Sequence, residues 1–179
     1  MRLTIVLILA TAAGLQAQPG DLVARARALH RETPLIDGHN DYPWALREHN
    51  AGRDLNRLDI RMPQPTLHTD IPRLRQGGVG GQFWSVYVPP TLQGGAAVRA
   101  TLEQIDVVHR MVRKYPDTFE LATTAADVER IFKAGRIASL IGMEGGHDIE
   151  NSLGALRAYY DLGALYMTLT HNVTLDWAD

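Results

Sequence analysis

Not one of the 179 residues is cysteine. That excludes a disulfide framework, a thiol nucleophile and thiolate metal ligands. Any metal site must therefore use His, Asp and Glu, donors that suit a hard or borderline cation. An excess of positive charge is also missing: 18 Lys and Arg stand against 20 Asp and Glu, for a formal net charge of −2. No Lys/Arg cluster carries interleaved aromatics, so nucleic acid is not an expected partner. Internal repeats and low-complexity tracts are absent too. What remains is a chain 45% hydrophobic and long enough for one globular domain with a real core.

The N-terminus, "MRLTIVLILATAAGLQAQPG", places Arg2 before an apolar run over residues 3–14, followed by small and polar residues. This is the three-part layout of a secretory signal peptide. It predicts removal of residues 1–17 and export to the periplasm or the extracellular space, although Leu15 is bulkier than the residue usual at that place. The run is short for a membrane span; an uncleaved anchor is the alternative. A lipoprotein anchor is excluded because no cysteine is available.

Along residues 18–179, apolar strand-like segments alternate with helical ones. "DLVARARALHRETP" predicts an amphipathic helix with Leu22, Ala26 and Leu29 on one face, stopped by Pro34. "LIDGHN" predicts a short strand. Residues 42–81 predict a polar, Pro/Gly-punctuated excursion with one short helix near Asp70 to Gln76. "GQFWSVYVP" predicts a second strand. "GAAVRATLEQIDVVHRMVRKYP" carries Val98, Leu102, Ile105, Val108, Met111 and Val112 at helical spacing; His109 on it reads as solvated or packed. A Thr-capped helix over "TTAADVERIFKAGRI", a third strand "IASLIGMEGG" apolar enough for burial on both faces, a helix "SLGALRAYYDLGA" and a fourth strand "LYMTLTHN" follow.

Alternating apolar strands and helices imply parallel βα units. A doubly wound sheet and a barrel both satisfy that pattern. The polar residues separate them: His39 and Asp41, Glu144 and His171 all fall at carboxyl ends of predicted strands, which is how a (β/α)8 TIM-like barrel builds its site. In an extended segment, residues i and i+2 share a side, so His39 and Asp41 can face one ion; a polar Asx-type turn before Pro43 is the plainer reading. Glu144 ends a buried strand, where a carboxylate is costly unless paired or metal-bound, and Gly145-Gly146 lets the backbone bend away; capping the helix near Ser152 is the alternative. His147 reads as a structural residue supporting a ligand or the loop. His171 can donate a hydrogen bond to a carbonyl oxygen gaining charge or bind metal. It can also be a packed histidine satisfied by Asp176 or Asp179. Together these residues point to a metal hydrolase.

"IDGHNDYPW", "IGMEGGHDIENSLGALRAYYDLGALYMTLTHN" and the terminal "WAD" closely resemble the membrane (renal) dipeptidase family, over residues 33–179. The resemblance implies a zinc peptidase with a metal-dependent-hydrolase (β/α)8 barrel, cleaving dipeptides with a metal-activated water. It implies that His39 and Asp41 bind the first of two zinc ions, that Glu144 bridges both, and that His171 contacts the substrate carbonyl and steadies the tetrahedral intermediate. It gives His147 no direct zinc contact. Leu165 stands where the family often has Arg or Val. The family's two further zinc histidines, its proton-shuttling aspartate and its grip on the dipeptide carboxylate lie on later strands.

The 179 residues are therefore expected to hold about four of eight βα units, with the C-terminal half of the barrel as the missing partner. Such a piece is expected to be inactive and to associate through its open sheet edges. The resemblance also implies a possible homodimer for the whole protein. Another barrel amidohydrolase, or a non-catalytic exported binding protein of this fold, is the competing reading.

Overall fold

The computed structural model describes residues 19–49 and 52–179; the predicted signal peptide lies outside them. Helix α1 (Pro19–Glu32) leads into strand β1 (Leu35–Asn40), α2 (Tyr42–Glu48) and α3 (Ile71–Gly77). Strand β2 (Val79–Tyr87), α4 (Gly95–Lys114), β3 (Phe119–Leu121) and α5 (Ala125–Lys133) follow. The chain continues through β4 (Ile137–Glu144), a 3-10 turn (Gly146–Ile149), α6 (Leu153–Asp161) and β5 (Ala164–Met167). No helix among the described residues is long and apolar enough to cross a membrane.

All strand pairings are parallel. The order runs β1-β2-β4, and the far edge of β4 is shared. β3 pairs with its first part, Ile137 to Ser139; β5 pairs with Ile141 to Met143. β4 is buried from Ile137 through Met143, as expected of a central parallel strand covered on both faces. Alternation divides it. Ile137, Ile141 and Met143 join Trp84, Val86, Ile105, Val108 and Met111 in the main core. Ala138 and Leu140 face the other way and pack with Val128 and Ile131 of α5. Glu144 falls on this second face, at the carboxyl end.

Local chemistry sets the helix ends. Thr124 Oγ1 accepts from Asp127 N at 3.1 Å, and the Asp127 carboxylate accepts back from the Thr124 hydroxyl at 2.8 Å, a reciprocal cap. Ser152 caps α6 through Ala155 N. Asp70 caps α3 by accepting from Arg73 N at 2.9 Å and also accepts from Gln64 N and Arg73 Nε. Burial alone would raise its pKa, but these hydrogen bonds and the guanidinium charge outweigh it and hold the carboxyl below its usual value. Its stabilisation is present at neutral pH and lost in acid. Asp70→Ala is expected to cost about 2 kcal/mol at pH 7, read from a urea denaturation midpoint, and less at pH 3.

Four features depart from the sequence expectation. Strand β3 went unseen: only three residues long, it sits between two stronger helical patterns. The segment after β1 holds α2 as well as α3, because Tyr42 and Leu46 bury one face against the core. The fourth predicted strand ends at Met167, so His171 stands in the loop beyond it rather than at its tip. The apolar face of α1 is exposed, with Leu22 and Leu29 more than half accessible.

Candidate metal centre

The exit of β1 is fixed by Asn40. Its Oδ1 accepts from Tyr42 N at 3.0 Å, and its Nδ2 donates to Thr69 Oγ1 at 2.7 Å. The Asx-type turn therefore exists, but Asn40 makes it. Asp41 stands at the N-cap of α2 with φ −86 and ψ 15, and its carboxylate caps nothing. An N-cap side chain would normally accept from the second or third helical N–H. Here the second position is Pro43, which has none, and Trp44 N bonds the Asp41 backbone oxygen instead. The carboxylate is left for His39, whose Nε2 lies 3.2 Å from Asp41 Oδ1. The two side chains meet as expected, but through a turn rather than through strand alternation.

Glu144 Oε2 lies 3.4 Å from the same His39 nitrogen and accepts from the Ser85 hydroxyl at 3.0 Å. Its other oxygen, Oε1, lies 3.5 Å from His171 Nδ1. Glu144 does not cap α6, since Ser152 does. The two glycines after it are required: Gly145 has φ +128, and a Cβ there would sit 2.5 Å from the His147 ring. A Cβ on Gly146 would lie 2.2 Å from the Leu169 carbonyl oxygen. Leu169 and Trp177, which flank His171 in sequence, therefore pack directly against the bare backbone of Gly146.

Each of His39, Asp41 and Glu144 offers one donor atom, and the three atoms lie within 4.8 Å of one another. One imidazole and two carboxylates, with no thiolate, fit a divalent cation of the zinc or harder type. The site opens onto a cleft of about 510 Å³ bounded by Asp37, His39, Asp41, Trp44 and His68.

His171 lies outside that three-residue cluster. Its ring meets the edge of Tyr87 at 5.7 Å and 82°, and its Nε2 is 2.7 Å from the Asn172 amide. The nearby acids that the packed-histidine alternative offers as partners are engaged elsewhere. Asp176 accepts from Asn151 and Asp179 from Thr174; the carboxylate facing His171 is Glu144.

The His147 side chain is largely buried, with Nε2 3.0 Å from the Val88 carbonyl oxygen, so it ties the loop after β4 to the exit of β2. Burial pushes its pKa down, and the backbone carbonyls of Val88 and Pro89 oppose that. Beside it, Asp148 is fully buried. His147 Nε2 is 3.2 Å from Asp148 Oδ1, but its N–H is directed to Val88, and the nearby Thr101 hydroxyl donates to the Ala97 carbonyl oxygen, so neither Asp148 oxygen has a hydrogen-bond partner among the described residues. Burial drives the Asp148 carboxyl up to about 8 and the Glu144 charge reinforces this; the Thr101 hydroxyl, already given to Ala97, offsets only part of it.

Sequence reasoning missed Ser85 and Tyr87. Both alternate along β2, in register with Gly142 and Glu144 of β4, so period-two counting would place them on one face. Only the pairing of β2 with β4 shows that this face is the site.

The profile of the membrane dipeptidase family, peptidase family M19, matches residues 23–179. Dipeptidase ataJ of Aspergillus terreus is 49% identical over 169 residues, covering 88% of this chain and 40% of its own length. The crystal structure of dipeptidase AC, a metallopeptidase of family M19, superposes with a TM-score of 0.69 at 26% identity, over 79% of this chain and 44% of that one. A metallopeptidase from Rhodobacter sphaeroides, bound to a phosphinate mimic of the dipeptide L-Ala-D-Ala, superposes with a TM-score of 0.62 at 25% identity, over 75% and 44%. The chain thus spans about two-fifths of the length of these relatives. Its open parallel sheet corresponds to part of their barrel, and the chain belongs to the membrane dipeptidase family, peptidase family M19.

Proposed function

We propose that the whole protein is an exported, zinc-dependent dipeptidase in which His39, Asp41 and Glu144 hold metal and His171 acts on the substrate carbonyl. The observation that carries this reading is the convergence of three donor atoms within 4.8 Å at the carboxyl ends of β1 and β4. Two ions need more than three ligands, so the remaining donors belong to parts of the whole protein other than these residues. Residues 1–179 alone are expected to turn over poorly.

A divalent ion bound there supplies Lewis acidity and a lowered pKa for water. The chain's own residues do the rest. Ser85 fixes one oxygen of Glu144, which sets the plane of the carboxylate. Tyr87 packs edge-to-face with the His171 ring, and Glu144 lies beside its Nδ1; on substrate binding its Nε2 exchanges the Asn172 amide for the scissile carbonyl oxygen and donates to it as it gains charge. The cleft beside His39 and Trp44 receives a small peptide, with L-Ala-D-Ala as the first substrate to assay.

His171→Ala separates this role from metal binding. The variant is expected to lose about 100-fold or more in kcat while metal content by elemental analysis stays at the wild-type value. Loss of metal in parallel with activity would make His171 a ligand and overturn its assignment to the carbonyl.

A further inference from the structure

Tyr166 stands in β5 as the register partner of Gly142 in β4. Its ring does not stay over its own strand. A Cβ placed on Gly142 would lie 2.1 Å from Tyr166 Cζ and 2.4 Å from its hydroxyl oxygen, so the ring lies directly across that glycine. It then meets Phe83 of β2 at 5.1 Å between centroids and ends by donating from its hydroxyl to the Gly38 carbonyl oxygen of β1 at 3.0 Å. One side chain therefore crosses from β5 over β4 and β2 to β1. Three interstrand steps amount to roughly 14 Å in a flat sheet, more than a tyrosine side chain spans. The contact exists because the sheet curls, and it ties the two sides of the curl together.

The places it touches are specific. Gly38 directly precedes His39. Gly142 is the neighbour of Glu144 on the same face of β4, two residues away. The pairing of β1 with β2 is irregular between Asp37 and Asn40, so the sheet ladder does not by itself fix the backbone at Gly38 and His39. Besides Tyr166, that stretch is held by His39 N donating to Asp37 Oδ1 at 3.1 Å and Gln82 Nε2 donating to the Asp37 carbonyl at 3.3 Å.

We propose that Tyr166 is a positioning residue that sets the separation of His39 and Glu144, by bracing the Gly38 carbonyl against the ring seated on Gly142. This rests on the reading of His39, Asp41 and Glu144 as metal donors. Gly142 is then a glycine because the brace passes over it. Loss of the hydroxyl frees the β1 exit and widens the spread of His39 positions, with no change to any donor atom.

The test uses the whole protein as wild type, Tyr166→Phe, Gly142→Ala and His39→Ala. Zn2+ affinity is measured by competition with a chromogenic chelator, and the site is reported by the visible absorption of the Co2+-loaded protein. Tyr166→Phe keeps the ring and is expected to weaken Zn2+ binding about tenfold or more, within the range seen when a ligand's supporting partner is removed. It is also expected to alter the Co2+ absorption band and to leave KM for the dipeptide unchanged at saturating metal. Gly142→Ala displaces the ring and is expected to reproduce the metal defect. Wild-type Zn2+ affinity and an unchanged Co2+ spectrum in Tyr166→Phe would overturn the inference, whatever the melting temperature. If wild type binds no Zn2+, or His39→Ala binds it as wild type does, the metal reading falls and the inference falls with it.

Discussion

Glu144→Ala is expected to strip the whole protein of stoichiometric metal and to lower kcat/KM by at least about 10³-fold, roughly 4 kcal/mol of transition-state stabilisation. The size follows from where Glu144 sits. Its two oxygens face His39, Ser85 and His171, so it is the side chain through which His39 and His171 meet. Asp41 is the like charge across the cluster, and removing one of two neighbouring carboxylates relieves repulsion in the metal-free state. The loss of the Ser85 hydrogen bond and of the two histidine contacts opposes that relief, so the metal-free variant is expected to remain folded and to melt close to metal-free wild type. That separates a lost ligand from a lost fold. Elemental analysis, dipeptide hydrolysis and thermal melts on the same preparation check the three parts; wild-type metal content in Glu144→Ala would refute the assignment.

A second large effect is expected at Asp148, and it concerns stability. The folded-state carboxyl lies near 8, against an ordinary value of 3.8. Between these values the folded protein keeps the proton that the unfolded chain releases. The folded state then binds more protons than the unfolded one, so stability falls as pH rises through this window. The slope from this one group approaches 1.4 kcal/mol per pH unit and flattens above about pH 8. Asp148→Asn removes the ionisation at nearly constant shape. Its stability relative to wild type is expected to grow from near zero at pH 4 to a few kcal/mol at pH 8.5, read from urea denaturation across the range. A difference independent of pH would show that Asp148 ionises normally in the folded protein.

Much of the frame was legible because its signals are local. The continuous apolar run of β4 announces a strand covered on both sides, and Ile105, Val108 and Met111 recur with the helical period that packs α4 on the sheet. Thr124 was readable as a cap because capping spans only three residues. His39 and Glu144 were legible as strand-end residues, and the resemblance to the dipeptidase family supplied roles that spacing alone left open.

What stayed hidden depends on long-range pairing or on competition between neighbours. Asp41 turns to His39 because Pro43 denies it a capping partner and Asn40 has taken over the turn. Periodicity registers none of this. The partner of His171 is Glu144, 27 positions away, rather than the acids beside it in sequence. Those acids are satisfied by Asn151 and Thr174. Ser85 carries no motif of its own, and Tyr166, although it lies in the segment that resembles the family, shows no role in that segment's spacing. Their importance comes from lying across strand boundaries, Ser85 next to Glu144 and Tyr166 next to Gly142 and Gly38, and strand order is not written in any one segment.

The most direct measurement is hydrolysis of L-Ala-D-Ala by the folded whole protein, before chelation, after removal of metal, and after Zn2+ is restored. A dipeptidase built on His39, Asp41 and Glu144 should cleave the dipeptide, lose that activity on chelation and regain it with Zn2+, and His39→Ala should show no such recovery. Zn2+-replete, folded protein that cleaves no dipeptide, or cleavage that persists unchanged after chelation, would contradict it.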